Sequence, residues 1–246
     1  MALTPITLLL AFFLGIASYH MARIFVEERR VAAGALPTLG NDFLEEDAEV
    51  ENKHTLGYIV SGLLMALGMV LTHNLVTPIS WNDYYALLLN GAIMLFLSVT
   101  LTLAWIDGET QILPSKLIYW GGGASLALLV AAAAVNGAWS LLIPMAIGGA
   151  MYFLFYFLIW WLAPRAFGFG DVRLSFFLGA FLAFLSPSGA FVGFVAAWIL
   201  ALVAILIGSI FGMVKGNIKI AFGPWMILGA FVGLFFGDSI VTMLAL

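Results

Sequence analysis

Residues 84–107 read YYALLLNGAIMLFLSVTLTLAWID. No charge interrupts the run until Asp107. A helix crossing a membrane needs about 20 mostly apolar residues. The stretch therefore predicts a transmembrane helix that ends on an ionisable group. Such a group is costly at a membrane helix end, so it usually has a job. Asp171, in FGFGDVRL, has the same setting, where another apolar run meets a short polar segment.

The rest of the chain agrees with a membrane protein. It has 246 residues, of which 64% are hydrophobic and 9% charged. Soluble domains run nearer ~45–50% and ~25%. The class is all-α, a polytopic membrane helix bundle with the lipid bilayer as its surroundings. The formal net charge of −4 says little about partners, because the charges are confined to loops. No basic stripe with interleaved aromatics is present, which argues against nucleic acid. Cysteine is absent, so disulfides, thiolate catalysis and thiolate zinc are excluded. The three histidines, His20, His54 and His73, lie on different sides and far apart in sequence, and no metal site is expected.

Eight spans are predicted: 3–22, 55–75, 84–106, 117–135, 139–163, 172–186, 189–214 and 221–244. Pro187, with Ser186, Ser188 and Gly189, marks a turn between the sixth and seventh, as Asn136 and Gly137 do between the fourth and fifth. In this arrangement all nine basic residues fall on one face: Arg23, Arg29, Arg30, Lys53, Lys116, Arg165, Arg173, Lys215 and Lys219. Basic residues stay preferentially in the cytoplasm. Both termini are therefore expected outside, with Asp107 and Asp171 at the cytoplasmic face. Residues 1–22 lack a basic n-region, so a retained span is expected rather than a cleaved signal.

Residues 23–54 form the only long polar segment, basic at EERR and acidic at EEDAEVE. It reads as a solvated, mobile loop; the functional alternative is a docking surface for a basic substrate segment. The division expected is 1–54, first span and cytoplasmic loop, and 55–246, a membrane-embedded catalytic domain.

A hairpin of the fourth and fifth spans leaves the cytoplasmic face after Asp107 and returns before Asp171. The topology thus allows the two carboxylates to meet. Adjacent carboxylates in a low-dielectric site do not both ionise readily; one keeps its proton while the other gives it up. The charged member can take a proton from water, and the neutral one can donate to a carbonyl oxygen or a departing amine. That is general acid/base hydrolysis of an amide. Gly168 and Gly170 flank Phe169 directly before Asp171, and glycine there permits close approach of an extended peptide.

Three segments together resemble the type IV prepilin peptidases, membrane aspartic proteases of the GxGD type. The first is DGETQILPSKL, with Asp107 followed by Leu113, Pro114 and Leu117. The second is GFGDVRL, similar to the family's G-x-G-D-x-K-L, with Asp171 as the second catalytic aspartate. The third is IAFGPWMILGA, similar to I-P-F-G-P-x-L-x-x-G-A, with Gly223 and Pro224 where the last helix begins. The similarity covers roughly residues 84–246. It implies cleavage of the basic leader from prepilin or pseudopilin precursors at the cytoplasmic face of a prokaryotic inner membrane.

The chain departs from that pattern in places. The cysteine pairs that hold zinc in many members are missing. Ser115 stands where aspartate often follows Leu-Pro, and Arg173 stands where the family has lysine. Many members also methylate the new N-terminus with S-adenosylmethionine. The segment associated with that activity matches only loosely, through Gly15, Ser18 and Arg23 of LGIASYHMARIF. Proteolysis by the aspartate pair needs no cofactor, whereas S-adenosylmethionine enters only if methylation is retained. Arg173 has two further readings, gripping substrate or snorkelling to the headgroups. A protease similar to signal-peptide peptidase or presenilin is the alternative within the GxGD class. A proton-coupled transporter is the alternative from another class.

Overall fold

The computed structural model describes residues 5–32, 43–72, 84–163, 167–211 and 222–245. The described residues form eight helices and no strand: α1 (Pro5–Ala32), α2 (Phe43–Thr72), α3 (Tyr84–Thr110), α4 (Ser115–Val135), α5 (Leu142–Leu162), α6 (Phe169–Leu185), α7 (Pro187–Ile210) and α8 (Gly223–Leu244). Six are long and apolar enough to cross a membrane: α1 over Leu8–Arg29, α3, α4, α5 with its preceding 3₁₀ turn, α7 and α8. The apolar part of α2, Leu56–Val70, is shorter. Helix α6 has 17 residues, about 26 Å of rise. The chain is a multi-pass membrane protein with an all-α bundle, as its composition predicts.

Three expectations change. The polar segment 23–54 is mostly helix: α1 continues to Ala32 and α2 begins at Phe43. Glutamate, alanine and lysine are good helix formers, and acidic residues favour a helix N-terminus. The charged stretch therefore extends two spans instead of forming a free loop; residues 33–42 lie outside the described set. The break expected over 186–189 is present but narrows to Ser186: Pro187 already lies inside the first turn of α7, with Ser186 as N-cap accepting the Gly189 N–H at 2.9 Å. Helix α6 begins at Phe169, so Asp171 sits in its first turn and not in a loop before it.

Helix α3 is the axis of the bundle, the most buried of the six long apolar helices. It packs on α1, α4 and α8, and Phe96 stacks on Phe181 of α6 at 3.9 Å. Lipid gives helices no hydrophobic drive to associate, so they join through small residues that let backbones approach. Helices α7 and α8 meet along Gly189, Gly193, Gly229 and Gly233; a Cβ on Gly229 would lie 2.5 Å from the Ala197 backbone nitrogen. Helices α5 and α6 meet through Gly148, Gly149 and Gly179. Of the GGG triplet, Gly121 packs on Val99 and Gly122 on Phe177, while Gly123 faces open space. The triplet ends a π-helical turn, Ile118–Gly122, within α4.

Candidate active site

The last turn of α3 carries Asp107, 4% exposed. The chain then reverses sharply: the Gln111 N–H donates to the Asp107 carbonyl at 2.9 Å, and Gln111 adopts φ 54°. This turn sends Ile112, Leu113 and Pro114 back toward the bundle, where Pro114 in extended conformation caps the start of α4. Leu113 is buried as a result.

Asp171, 8% exposed, is the third residue of α6. Its Oδ2 accepts the N–H of the N-cap Gly168 at 3.3 Å. Glycine has no side chain to return that bond, so only half of a capping box exists. The Asp171 N–H donates instead to the Gly168 carbonyl at 3.1 Å.

Leu113 links the segments around the two acids. A Cβ on Gly170 would lie 2.9 Å from Leu113 Cβ. One on Gly223 would lie 2.5 Å from Asp107 Oδ2 and 3.5 Å from Leu113 Cδ1. The clearance at Gly170 thus admits Leu113, and that at Gly223 admits Asp107 itself. The carboxylates are electrostatic neighbours, with the Asp107 charge acting on Asp171. Pro224 lies in the first turn of α8, and the Phe222 carbonyl accepts the N–H groups of Trp225 and Met226, each at 3.1 Å. The backbone N–H of Gly223 sits beside the Asp107 carboxylate. Oδ2 nevertheless completes no hydrogen bond among the described residues. A buried polar atom left without a partner is rare and calls for an explanation.

Arg173 is pinned. Its guanidinium lies 4.7 Å from the Phe169 ring centroid and 5.6 Å from that of Tyr119, and it donates to Ser115 Oγ. Phe169 in turn meets Trp160 edge-on at 4.9 Å. Arginine over aromatic faces is attracted to the ring quadrupole. This clamp ties α6, two residues after Asp171, to the start of α4.

The structure therefore brings together Asp107, Asp171, Gly168, Gly170, Gly223, Pro224 and, through Leu113, Pro114. Phe169 and Arg173 stand one layer to the side. Of the histidines, His20 pairs its Nδ1 with the Tyr58 hydroxyl at 3.0 Å; the His54 side chain and His73 lie outside the described residues. Sequence reasoning did not single out Leu113 as the contact between Gly170 and Gly223. It also missed the ring cluster of Tyr156, Phe167, Trp198 and Phe222 that walls the site. Leu113 was visible as half of a Leu-Pro element. Nothing local separates Tyr156 from the other aromatics of FLFYFLIWW.

Beside this site a groove of about 860 Å³ opens between α1, α3 and α4. Its inner wall includes Ile106 and Leu113, and its mouth carries Glu28, Arg29 and Lys116.

No family model matches the chain, and no solved structure matches it. Curated proteins do. The chain is 29% identical over 160 residues to the prepilin leader peptidase/N-methyltransferase of Escherichia coli K12, covering 60% of this chain and 64% of that one. It is 28% identical over 198 residues to the protein of the same name from Aeromonas salmonicida A449, covering 74% of this chain and 59% of that one. The matches thus span about three fifths of the relatives' length. The three-segment resemblance and these relatives agree: the chain is related to the type IV prepilin peptidases.

Proposed function

We propose that the chain is a prepilin leader peptidase. It removes the basic leader of type IV pilin or pseudopilin precursors at the cytoplasmic face of a prokaryotic inner membrane, with both termini outside. Asp107 and Asp171 act as the acid–base pair. One carboxylate takes a proton from water, which attacks the scissile carbonyl. The other donates its proton to the carbonyl oxygen, and a proton passes to the departing amine as the C–N bond breaks. Residues 1–54 serve as an anchoring span with its polar extension, and 55–246 as the peptidase domain.

The observation that carries this reading is the convergence of three sequence segments. DGETQILP, GFGD and FGP are separated along the chain, yet they meet at Leu113, which packs on Gly170 and lies beside Gly223, itself against Asp107. The incomplete hydrogen bonding of Asp107 supports a working role over a structural one. A structural carboxylate at that depth gains by completing its bonds.

The groove beside α1 is lined by the hydroxyls of Ser18, Ser98, Thr102 and Ser115 and by Glu28. Ser18 and Ser98 bond each other at 2.7 Å, Thr102 donates to the Ser98 carbonyl at 2.8 Å, and Ser115 accepts from Arg173. Each of these hydroxyls keeps lone pairs and Ser115 keeps its O–H, but no group here fixes a reacting methyl, and we derive no methylation step.

The test is the mass of a prepilin after incubation with the full chain in membranes. A product shortened by its leader, lost in both D107N and D171N, is expected. Undiminished cleavage by either variant defeats the assignment, and a further 14-dalton-class increment on the product would restore methylation.

A further inference from the structure

A second groove, of about 540 Å³, opens between α4, α5 and α6. That is within the range of ligand pockets, ~300–1,000 Å³. Along α4 it runs from Ile118 to Leu126, about 12 Å of helix rise. Phe153 of α5 and Phe176 and Phe177 of α6 face it. Small residues leave the room: a Cβ on Gly123 would meet nothing within 4 Å. Neither aspartate lines this groove, and neither does Leu113, so it is separate from the candidate active site.

Arg173 is the only charged residue in the lining. Its side chain is half-buried. It touches the rings of Phe169 and Tyr119 and the Ser115 hydroxyl, all of them neutral. No carboxylate pairs with it among the described residues. Asp171 does not answer the charge: residues two apart on a helix do not face each other, and Asp171 Oδ2 accepts from Gly168. A guanidinium carries five N–H donors and no acceptor. The bond to Ser115 is the one it makes among the described residues, and Nε is buried with none. A cation partly withdrawn from water without a counterion is costly. Lys116, exposed and next to Ser115 in the chain, adds a second positive charge.

The surroundings identify the counterion. Tyr119, Trp120 and Trp161 are exposed at this end of the bundle. Such rings favour the headgroup level of a membrane. Leu126 and Phe153 lie near the middles of their helices, deeper in the apolar layer. The groove is thus cationic at the headgroup level and apolar below it.

We propose that this groove holds one acyl chain of an anionic phospholipid, with its phosphate on the N–H groups of Arg173 that Ser115 leaves open. The headgroup supplies the missing negative charge, and the chain covers Gly123, Leu126, Phe153 and Phe176. A zwitterionic lipid would set its ammonium beside Arg173 and Lys116, so a net negative headgroup is preferred. The site does not depend on the peptidase reading.

The experiment offers the full chain, in detergent, equimolar phosphatidylglycerol and phosphatidylcholine with identical acyl chains. Native mass spectrometry counts the lipid retained. Phosphatidylglycerol is expected to be retained ~5-fold over phosphatidylcholine, the scale of one basic side chain facing an anionic lipid. R173Q should bring the two lipids to parity. G123F keeps the guanidinium and puts a ring where the acyl chain would lie. It should lower phosphatidylglycerol retention ~10-fold, as the loss of about two buried methylenes would. Equal retention of the two lipids by the wild-type chain overturns the proposal. So does undiminished phosphatidylglycerol retention in G123F, because attraction to surface charge alone needs no groove. Should R173Q or G123F fail to fold, L126W fills the same groove away from the guanidinium, and wild-type retention there is equally fatal.

Discussion

Asp107 and Asp238 lie at opposite ends of the same bundle, and the chain treats them in opposite ways. Asp238, on α8, is exposed and accepts hydrogen bonds from Ser186 and Ser188 at the α6–α7 turn. Ser186 also caps α7. Every part of that arrangement is accounted for as a clasp between helices. Asp107 is buried, and its Oδ2 has no completed bond among the described residues. Arg173 Nε and Trp198 Nε1 are likewise buried without partners, and both lie at the Asp107 end. The comparison teaches that, among the described residues, incomplete hydrogen bonding gathers at the end of the bundle that holds the two acids.

Replacing the acids tests this contrast most severely. D107N or D171N should lower leader cleavage by at least ~10³-fold, within the range of general acid–base catalysis. The folded yield should persist, since a neutral amide is easier to bury than a charge. Product mass and detergent-solubilised melting temperature read the two effects separately. Cleavage by D107N near the wild-type rate would make the two acids alike after all.

Glycine substitutions sharpen the same distinction. G223A drives a methyl into Asp107 and should cost ~10²-fold in kcat by displacing a reacting group. G233A, in the α7–α8 seam, should instead lower stability by about 1–3 kcal/mol through overpacking. Thermal unfolding and single-turnover cleavage on both variants should show opposite rankings.

The Arg173 clamp should give an intermediate effect. R173A removes two ring contacts and the Ser115 bond, a loss of about 2 kcal/mol if the site is desolvated. Cleavage should then fall by more than in R173K, which keeps the charge but not the planar fork. Equal rates for the two variants would mean that the charge by itself contributes nothing, and a wild-type rate in R173K would mean that charge alone matters. The smallest effect belongs to the other end: D238N should leave cleavage unchanged and cost about 1 kcal/mol from weakened hydrogen bonds. A loss of activity in D238N would tie the two ends together and remove the contrast.

Much of this was legible in the chain. The apolar runs predicted the helices because a bilayer imposes a length and a polarity on anything that crosses it. Their ends were less visible. Helix α2 starts at Phe43 because charged helix formers continue a helix beyond the apolar layer. Helix α7 starts at Pro187 because proline suits a first turn as readily as a loop. Gly170 and Gly223 were read as room for a substrate or a break before a helix, yet Leu113 and Asp107 occupy the space they leave.

The residues alone determined that the chain is a helical membrane bundle and that Asp107 and Asp171 stand out within it. Hydrophobic length and a costly charge are properties of a segment, and need no partner to be recognised. Only the tertiary structure decided that Leu113 packs on Gly170 and lies beside Gly223, that Arg173 is clamped between rings, and that Tyr156 stacks on Phe167 and Trp198. Those are relations between surfaces of different helices. Close packing without a hydrophobic drive sets them, through which small residues let which backbones approach.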